Sequence, residues 1–365
     1  MARIVVKLGT STLTQGTAYL DRQRMLEIVQ QMAYLHQQNH EMILVSSGAQ
    51  AAGRERLGFP ELERTTPAKQ MLSAIGQGRL MHLYSELFDF FSIVVGQVLL
   101  TRDDLSLRGR YLNARDTLQT LIDHRIIPII NENDTVATDE IRVGDNDNLS
   151  ALVASVLEAD LLIMLTDQPG LYTADPRHEP SAQLIKQIER IDQKTYDLAG
   201  GAGSKMGTGG MVTKIEAAQT ATRSGVSTIV AAGTEPDVIR RIVQGEDIGT
   251  RFEPTGTSME SRKRWLLTDR IQGSIVIDGG AVRALKQKGA SLLPVGVIET
   301  RGEFERGATL AVFSPDGEEI AHGLSNYNSR ELNLLHRTHS DQIADILGYS
   351  NGDYVIHRNN LVILN

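Results

Sequence analysis

The sequence predicts an α/β protein in two parts: an open, mainly parallel sheet sandwiched by helices, then a small, mostly β domain. Three observations carry that expectation. Through the first two-thirds of the chain, short and almost continuously apolar, β-branched runs alternate with longer segments of helical period. A polar stretch, EDIGTRFEPTGTSMESRKRWLLTDRIQ (246–272), then interrupts the alternation. Beyond it the apolar runs shorten and are punctuated by turn residues.

Taken in order, the strand candidates are RIVVKLG (3–9), EMILVSS (41–47), FSIVVGQVLL (91–100), RIIPIIN (125–131), ADLLIMLTD (159–167) and GVSTIVAAG (225–233). Each lacks the polar alternation of a half-exposed strand, as expected where helices cover both faces. Helical segments are read at 21–38, 68–89, 111–123, 149–158 and 211–224, which makes right-handed crossovers between parallel strands the natural topology. In the C-terminal part, SPDGEE between two alternating runs signals a hairpin. These shifts divide the chain into a first domain at 1–253, a linker at 254–272, a second domain at 273–351 and a tail at 352–365.

Composition narrows the function classes. The 365 residues carry 41% hydrophobic and 22% charged side chains, ordinary for a globular protein. A net charge of -8 gives no overall basic field for nucleic acid or anionic membrane. Cysteine is absent, which removes disulfides, thiolate nucleophiles and Cys-ligated metals together. The apolar run before Lys7 is too short for a secretory signal, and none approaches the roughly 20 residues of a membrane span. The expectation is a soluble, cytoplasmic protein.

In an open α/β sheet, ligands sit outside the carboxyl ends of the strands. Polar groups cluster there: KLGTS (7–11), SSGA (46–49), NENDT (131–135) and LTD (165–167). GSKMGTGGMVTK (203–214) is a glycine-rich entry to a helix, placing Lys214 one turn in, and suits phosphate without being a Walker loop or GxGxxG. Two lysines, Lys7 and Lys214, are what phosphoryl transfer asks for, since that reaction is largely positioning and charge neutralisation. In RVGDNDNLSA (142–151), a calcium loop fails because Leu149 and Ser150 stand where Asp/Asn and Gly are required. Leu149, Leu152, Val153, Val156 and Leu157 share a helical face, which places Asn148 as the N-cap. Capping leaves Asp145, Asn146 and Asp147 unexplained.

The segments KLGTSTLT (7–14), VSSGAQAAGRERLG (45–58), NENDTVAT (131–138), VGDNDNLSALVA (143–154), LTDQPGLYTADPR (165–177) and GTGGMVTKIEAA (207–218) together resemble the amino-acid kinase superfamily, and within it the glutamate 5-kinase family. The C-terminal domain, from DRIQGSIVIDGGAVRAL onward, resembles a PUA domain. The resemblance implies the amino-acid kinase fold and ATP-dependent phosphorylation of the γ-carboxylate of L-glutamate. It implies ATP contacts from Lys7, Thr166 and Asp167 and from Thr208, Gly209, Gly210, Met211, Val212, Thr213 and Lys214. It implies glutamate contacts from Ser47, Asp134 and Asn146, with Lys7 and Lys214 stabilising the transferred group and Asp147 holding both lysines. Mg²⁺ is expected to ride mainly on the ATP phosphates. Proline as a feedback inhibitor, a homo-oligomer (tetramer or dimer) and transient contact with a glutamyl-phosphate reductase are further implications of the family. Arg142 departs locally, where lysine is expected in many relatives.

The residue chemistry agrees with that resemblance. A γ-carboxylate with a pKa of roughly 4.3 is already ionised at neutral pH and needs no general base. Related amino-acid, carbamate and UMP kinases are the enzyme alternatives, and GDNDN with the PUA-like segment favours the glutamate-directed branch. An RNA-binding role is the alternative of another class. Residues 273–350 carry seven Lys/Arg against ten Asp/Glu, so phosphate neutralisation is weak and RNA is not the expected partner.

Overall fold

The computed structural model describes residues 1–63, 65–137, 145–176, 178–199, 210–257, 267 and 270–364. They form two compact units, Met1–Leu105 with Ala114–Thr257 and Ser106–Asn113 with Ser258–Asn365. The predicted linker at 254–272 falls largely outside the described residues, as do Arg142, Thr208 and Gly209.

Eight strands make the first sheet: β1 (Arg3–Leu8), β2 (Glu41–Ser46), β3 (Val95–Leu100), β4 (Ile127–Glu132), β5 (Leu161–Thr166), β6 (Gln187–Ile188), β7 (Ser227–Ala232) and β8 (Thr250–Phe252). Their spatial order is β3-β4-β2-β1-β5-β7-β8-β6, and the central pairs are parallel. β8 runs antiparallel to its neighbour β7, and β6 pairs parallel with β8. The six predicted strands match the six longer ones; β6 and β8 are too short to show an apolar run. Helices up to residue 243 are α1 (Thr10–Thr14), α2 (Arg22–Gln37), α3 (Ala49–Arg56), α4 (Thr66–Asp89), α5 (Arg102–Ser106), α6 (Arg108–Asp123), α7 (Asp145–Val156), α8 (Gln193–Ala199), α9 (Met211–Arg223) and α10 (Val238–Val243).

The strand pleat decides which side chains enter the core and which enter the site. Ile4, Val6 and Leu8 of β1 join Met25, Ile28 and Met32 of α2 in one buried cluster, with Tyr84 and Phe88 of α4. Alternation turns Val5 and Lys7 to the opposite face, where α7 packs against β1 and α9 packs against α7. A lysine in a buried strand is thereby aimed at a helix rather than at solvent.

Two differences from expectation have physical causes. The third strand begins at Val95, not at residue 91, because Ser92 turns the chain in the left-handed region (φ 56°). Helix α7 begins at Asp145, so Asn148 lies inside the helix and is not its N-cap. Apolar periodicity marks only where a helix first touches the core, and the first turn of α7 is polar on every side. Acidic groups in a first turn are in any case favoured by the positive end of the helix.

Helices α3 and α4 approach to backbone contact at two glycines. A Cβ on Gly53 would lie 2.1 Å from Leu72 O, and one on Gly76 would lie 1.7 Å from Ala49 O. This contact sets α4 against the Ser47–Gly48 corner. Gly76→Ala should therefore cost about 3 kcal/mol or more, above the usual range for overpacking because backbone must move. Denaturant unfolding measures it; an unchanged midpoint would contradict the close approach.

The second unit has a five-stranded sheet in the order β10-β9-β11-β12-β13, with β9 (Gly273–Ile277), β10 (Val297–Arg301), β11 (Thr309–Phe313), β12 (Glu319–Leu324) and β13 (Leu361–Ile363). The predicted SPDGEE hairpin joins β11 to β12, with Gly317 at φ 85° in the turn. Ile275, Ile277, Leu310, Val312 and Ile320 form its core around Tyr327. Among the described residues of the chain, no helix is long and apolar enough to cross a membrane.

Candidate active site

Strand register brings the polar ends together. Leu8 pairs with Ser46 on one side and Leu165 on the other, and Val45 pairs with Ile130. Gly9, Ser47, Asn131 and Thr166 therefore lie at nearly one level on the carboxyl edge of the sheet. The chain moves from β1 to β2 and on to the edge strand β3, steps back to β4, then crosses β1 to β5, so this edge is also where the strand order reverses.

Asp147 is the centre of the site. It is 1% exposed and stands in the first turn of α7. Lys7 Nζ lies 2.5 Å from its Oδ1, an ion-pair contact without good hydrogen-bond alignment. Lys214 Nζ donates to Oδ2 at 3.3 Å, and Thr213 Oγ1 donates to the same oxygen at 2.8 Å. Ser150 donates to the Asp147 carbonyl at 2.6 Å and so steadies the turn that carries it. A buried strand, the helix behind it and a second helix thus contribute one charged residue each.

The electrostatics follow from burial and mutual proximity. Burial pushes the Lys7 ammonium below the usual lysine range; Asp147 opposes this and the neighbouring Lys214 adds to it. Burial alone would raise the Asp147 carboxyl, but the charges of Lys7 and Lys214 and the Thr213 hydroxyl outweigh it and hold the group ionised. Two ammonium groups share one carboxylate, so the three side chains carry a formal net charge of one positive unit.

Phosphate-binding geometry adjoins this triad. Helix α9 opens at Met211 after Gly210, and no side chain caps it among the described residues, so its first N–H groups and Val212 and Thr213 stand at a positive helix end. Beside Lys7, a Cβ on Gly9 would come 3.6 Å from Nζ and 3.8 Å from Leu165 O. Its absence leaves the ammonium approachable. Thr166 ends β5 buried and donates to Asp167 Oδ1 at 2.9 Å. Of the proposed nucleotide contacts, Thr208 and Gly209 lie outside the described residues.

A second, uncharged cluster lies on the other side of α7. Consecutive helical residues diverge by about 100°, so Asn146 points away from the lysines that Asp147 holds. Its Nδ2 donates to Ser47 Oγ and to Asn131 Oδ1, both at 3.0 Å. Asn131 Nδ2 in turn donates to Gln77 Oε1 of α4 at 2.8 Å. Asp134 is half-buried nearby in the loop after β4; burial pushes its carboxyl above the usual range, and the Ser73 hydroxyl opposes the rise. Ser46 Oγ bonds the buried Tyr84 hydroxyl at 2.7 Å and donates to Ser47 O at 2.9 Å, fixing the corner that presents Ser47.

Of the residues expected from sequence, Lys7, Asp147, Thr213 and Lys214 meet in one cluster, and Ser47 and Asn146 in another. Asn131 stood in a motif singled out for its position, without a role. Gln77, Ser73 and Tyr84 had no sequence signal, because on α4 they share a face with ordinary core residues such as Leu80. The arrangement sets a lysine–aspartate–lysine cluster on one side of α7 and a cluster of amide and hydroxyl groups on the other.

The amino acid kinase family model matches residues 2–232, and the PUA domain model matches residues 273–347. A glutamate 5-kinase from Herpetosiphon aurantiacus is 55% identical over 361 residues, covering 99% of this chain and 98% of that protein. Glutamate 5-kinases from Deinococcus radiodurans (51%) and Photobacterium profundum (52%) align over 99% of this chain and 100% and 96% of their own lengths. The chain therefore belongs to the amino acid kinase family and carries a C-terminal PUA domain.

Proposed function

We propose that the chain acts as a glutamate 5-kinase, moving the γ-phosphoryl group of ATP to the γ-carboxylate of L-glutamate to give L-glutamyl 5-phosphate, the first step of proline biosynthesis from glutamate. The observation that carries this reading is the buried Asp147 joining Lys7 to Lys214 beside a pocket of amino-acid-binding chemistry. A γ-carboxylate oxygen attacks the γ-phosphorus, the bond to the β–γ bridging oxygen breaks, and its electron pair leaves on ADP. No proton changes hands, so a site without a general base is sufficient.

Lys7 and Lys214 neutralise charge that spreads over the phosphoryl oxygens, and Asp147 keeps both ammonium groups in place without reorganisation. Mg²⁺ bound with ATP supplies further neutralisation. That ion keeps waters and takes few protein ligands, so the phosphate oxygens would hold it for the most part. Ser47 and Asn146 orient the amino acid, and Asp134 pairs with its α-ammonium. The same reading brings a cytoplasmic setting, inhibition by proline, a homo-oligomer and transient delivery of the labile acyl phosphate to a reductase.

The raised Asp134 carboxyl gives a pH signature. Its neutral form cannot pair with an α-ammonium, so the KM for glutamate should rise as pH falls through the raised value while the KM for ATP changes little. Asp134→Asn should raise the glutamate KM and remove that dependence, as a pH series of initial rates would show. The function itself is tested by ADP release across glutamate, N-acetylglutamate, aspartate, carbamate and UMP. Glutamate should give the highest kcat/KM; preference for any other acceptor refutes the proposal.

A further inference from the structure

The amide network beside α7 has ends that its protein partners leave open, and their chemical identity is fixed from one backbone group. Asn131 Oδ1 accepts the Glu132 backbone N–H at 2.9 Å, so that atom is the oxygen. Its Nδ2 then faces Gln77, which must present Oε1 to it at 2.8 Å. Gln77 Nε2 is therefore the remaining donor, and it is buried with no hydrogen-bond partner among the described residues. By the same logic Asn146 spends Nδ2 on Ser47 and Asn131, leaving a buried Oδ1 acceptor that is likewise unpartnered. Leaving a buried donor unmade is costly, which points to a ligand atom as its complement.

The two open ends are of opposite kind. An acceptor on Asn146, with the Asp134 carboxyl, suits an ammonium group. A donor on Gln77 suits a carboxylate. We propose that Gln77 is a specificity-determining residue of the acceptor pocket: Oε1 anchors Asn131, and Nε2 donates to the α-carboxylate of the amino acid. This rests on the glutamate reading above. It assigns to α4 a substrate contact, held at its level by the Gly76–Ala49 backbone approach.

Gln77→Glu separates the two duties, because it keeps an oxygen for Asn131 and replaces the donor by a negative oxygen. Initial rates of the full chain with ATP are compared for glutamate and for isoglutamine, whose α-carboxylate is an amide while its γ-carboxylate is intact. A hydrogen bond to a charged group corresponds to about 10- to 100-fold in affinity. The kcat/KM of Gln77→Glu for glutamate should fall at least about 30-fold, while that for isoglutamine changes less than about threefold. Gln77→Leu, which removes both duties, should likewise narrow the wild-type preference for glutamate over isoglutamine at least about tenfold. It is the readout if Gln77→Glu does not fold. Equal losses on both acceptors, or a glutamate rate like wild type in Gln77→Glu, would overturn the assignment. A wild-type enzyme inactive on glutamate would instead sink the functional reading, so the two failures are distinct.

Discussion

Asp147→Asn should lower kcat by about 100- to 1000-fold and destabilise the protein by about 3–5 kcal/mol. The isosteric amide keeps the volume, and an oxygen for Thr213, but leaves two buried ammonium groups without their shared counter-charge. Lys7, already pushed below the usual lysine range by burial, would then lose its proton more readily. The alkaline limb of the rate profile should therefore move to lower pH in the variant. In the wild type the depressed Asp147 carboxyl adds stability that is fully present above its ordinary value of 3.8 and is lost as pH falls through the lower folded value. That acid-side loss should be smaller in Asp147→Asn. Steady-state rates and denaturant unfolding across pH measure both effects; wild-type kcat in the variant would remove Asp147 from the centre of the site.

Lys214→Ala should lower kcat by about 100- to 1000-fold while changing the glutamate KM by less than about threefold. Its ammonium sits on the Asp147 side of α7, away from the Ser47–Asn146–Asn131 cluster, so ground-state binding of the amino acid does not depend on it. The position is also one turn inside α9, which keeps the charge close to the helix start. A change confined to KM would show that Lys214 only binds ground-state substrate. Lys7→Ala is expected to behave alike, with the added loss of a buried ion pair.

The frame of this molecule was legible in the chain because β1, β2, β4, β5 and β7 are covered on both faces and so are apolar along most of their length. Lys7 and Lys214 were legible as charges at a strand end and a helix entry. Asp147 appeared as a residue that capping did not explain, and the fold supplies the reason in two buried lysines from β1 and α9. The start of α7 was not legible, since a polar first turn gives no periodic signal and Asn148 looked like a cap. Gln77 was invisible for a different reason. Its importance lies in which atom of an amide is left over, and that depends on Asn131 and the Glu132 N–H, both at the end of β4. Such information exists only after β4 and α4 have been brought together.

The central claim is that a carboxylate oxygen of glutamate takes the γ-phosphoryl group at the lysine pair. Its most direct measurement uses glutamate labelled with oxygen-18 in the γ-carboxylate, turned over with ATP in the presence of hydroxylamine. Hydroxylamine attacks the acyl carbon and expels phosphate with the oxygen that bridged it. The account predicts γ-glutamyl hydroxamate together with inorganic phosphate carrying one oxygen-18 atom. Unlabelled phosphate, or hydroxamate at the α-carboxyl, would contradict it.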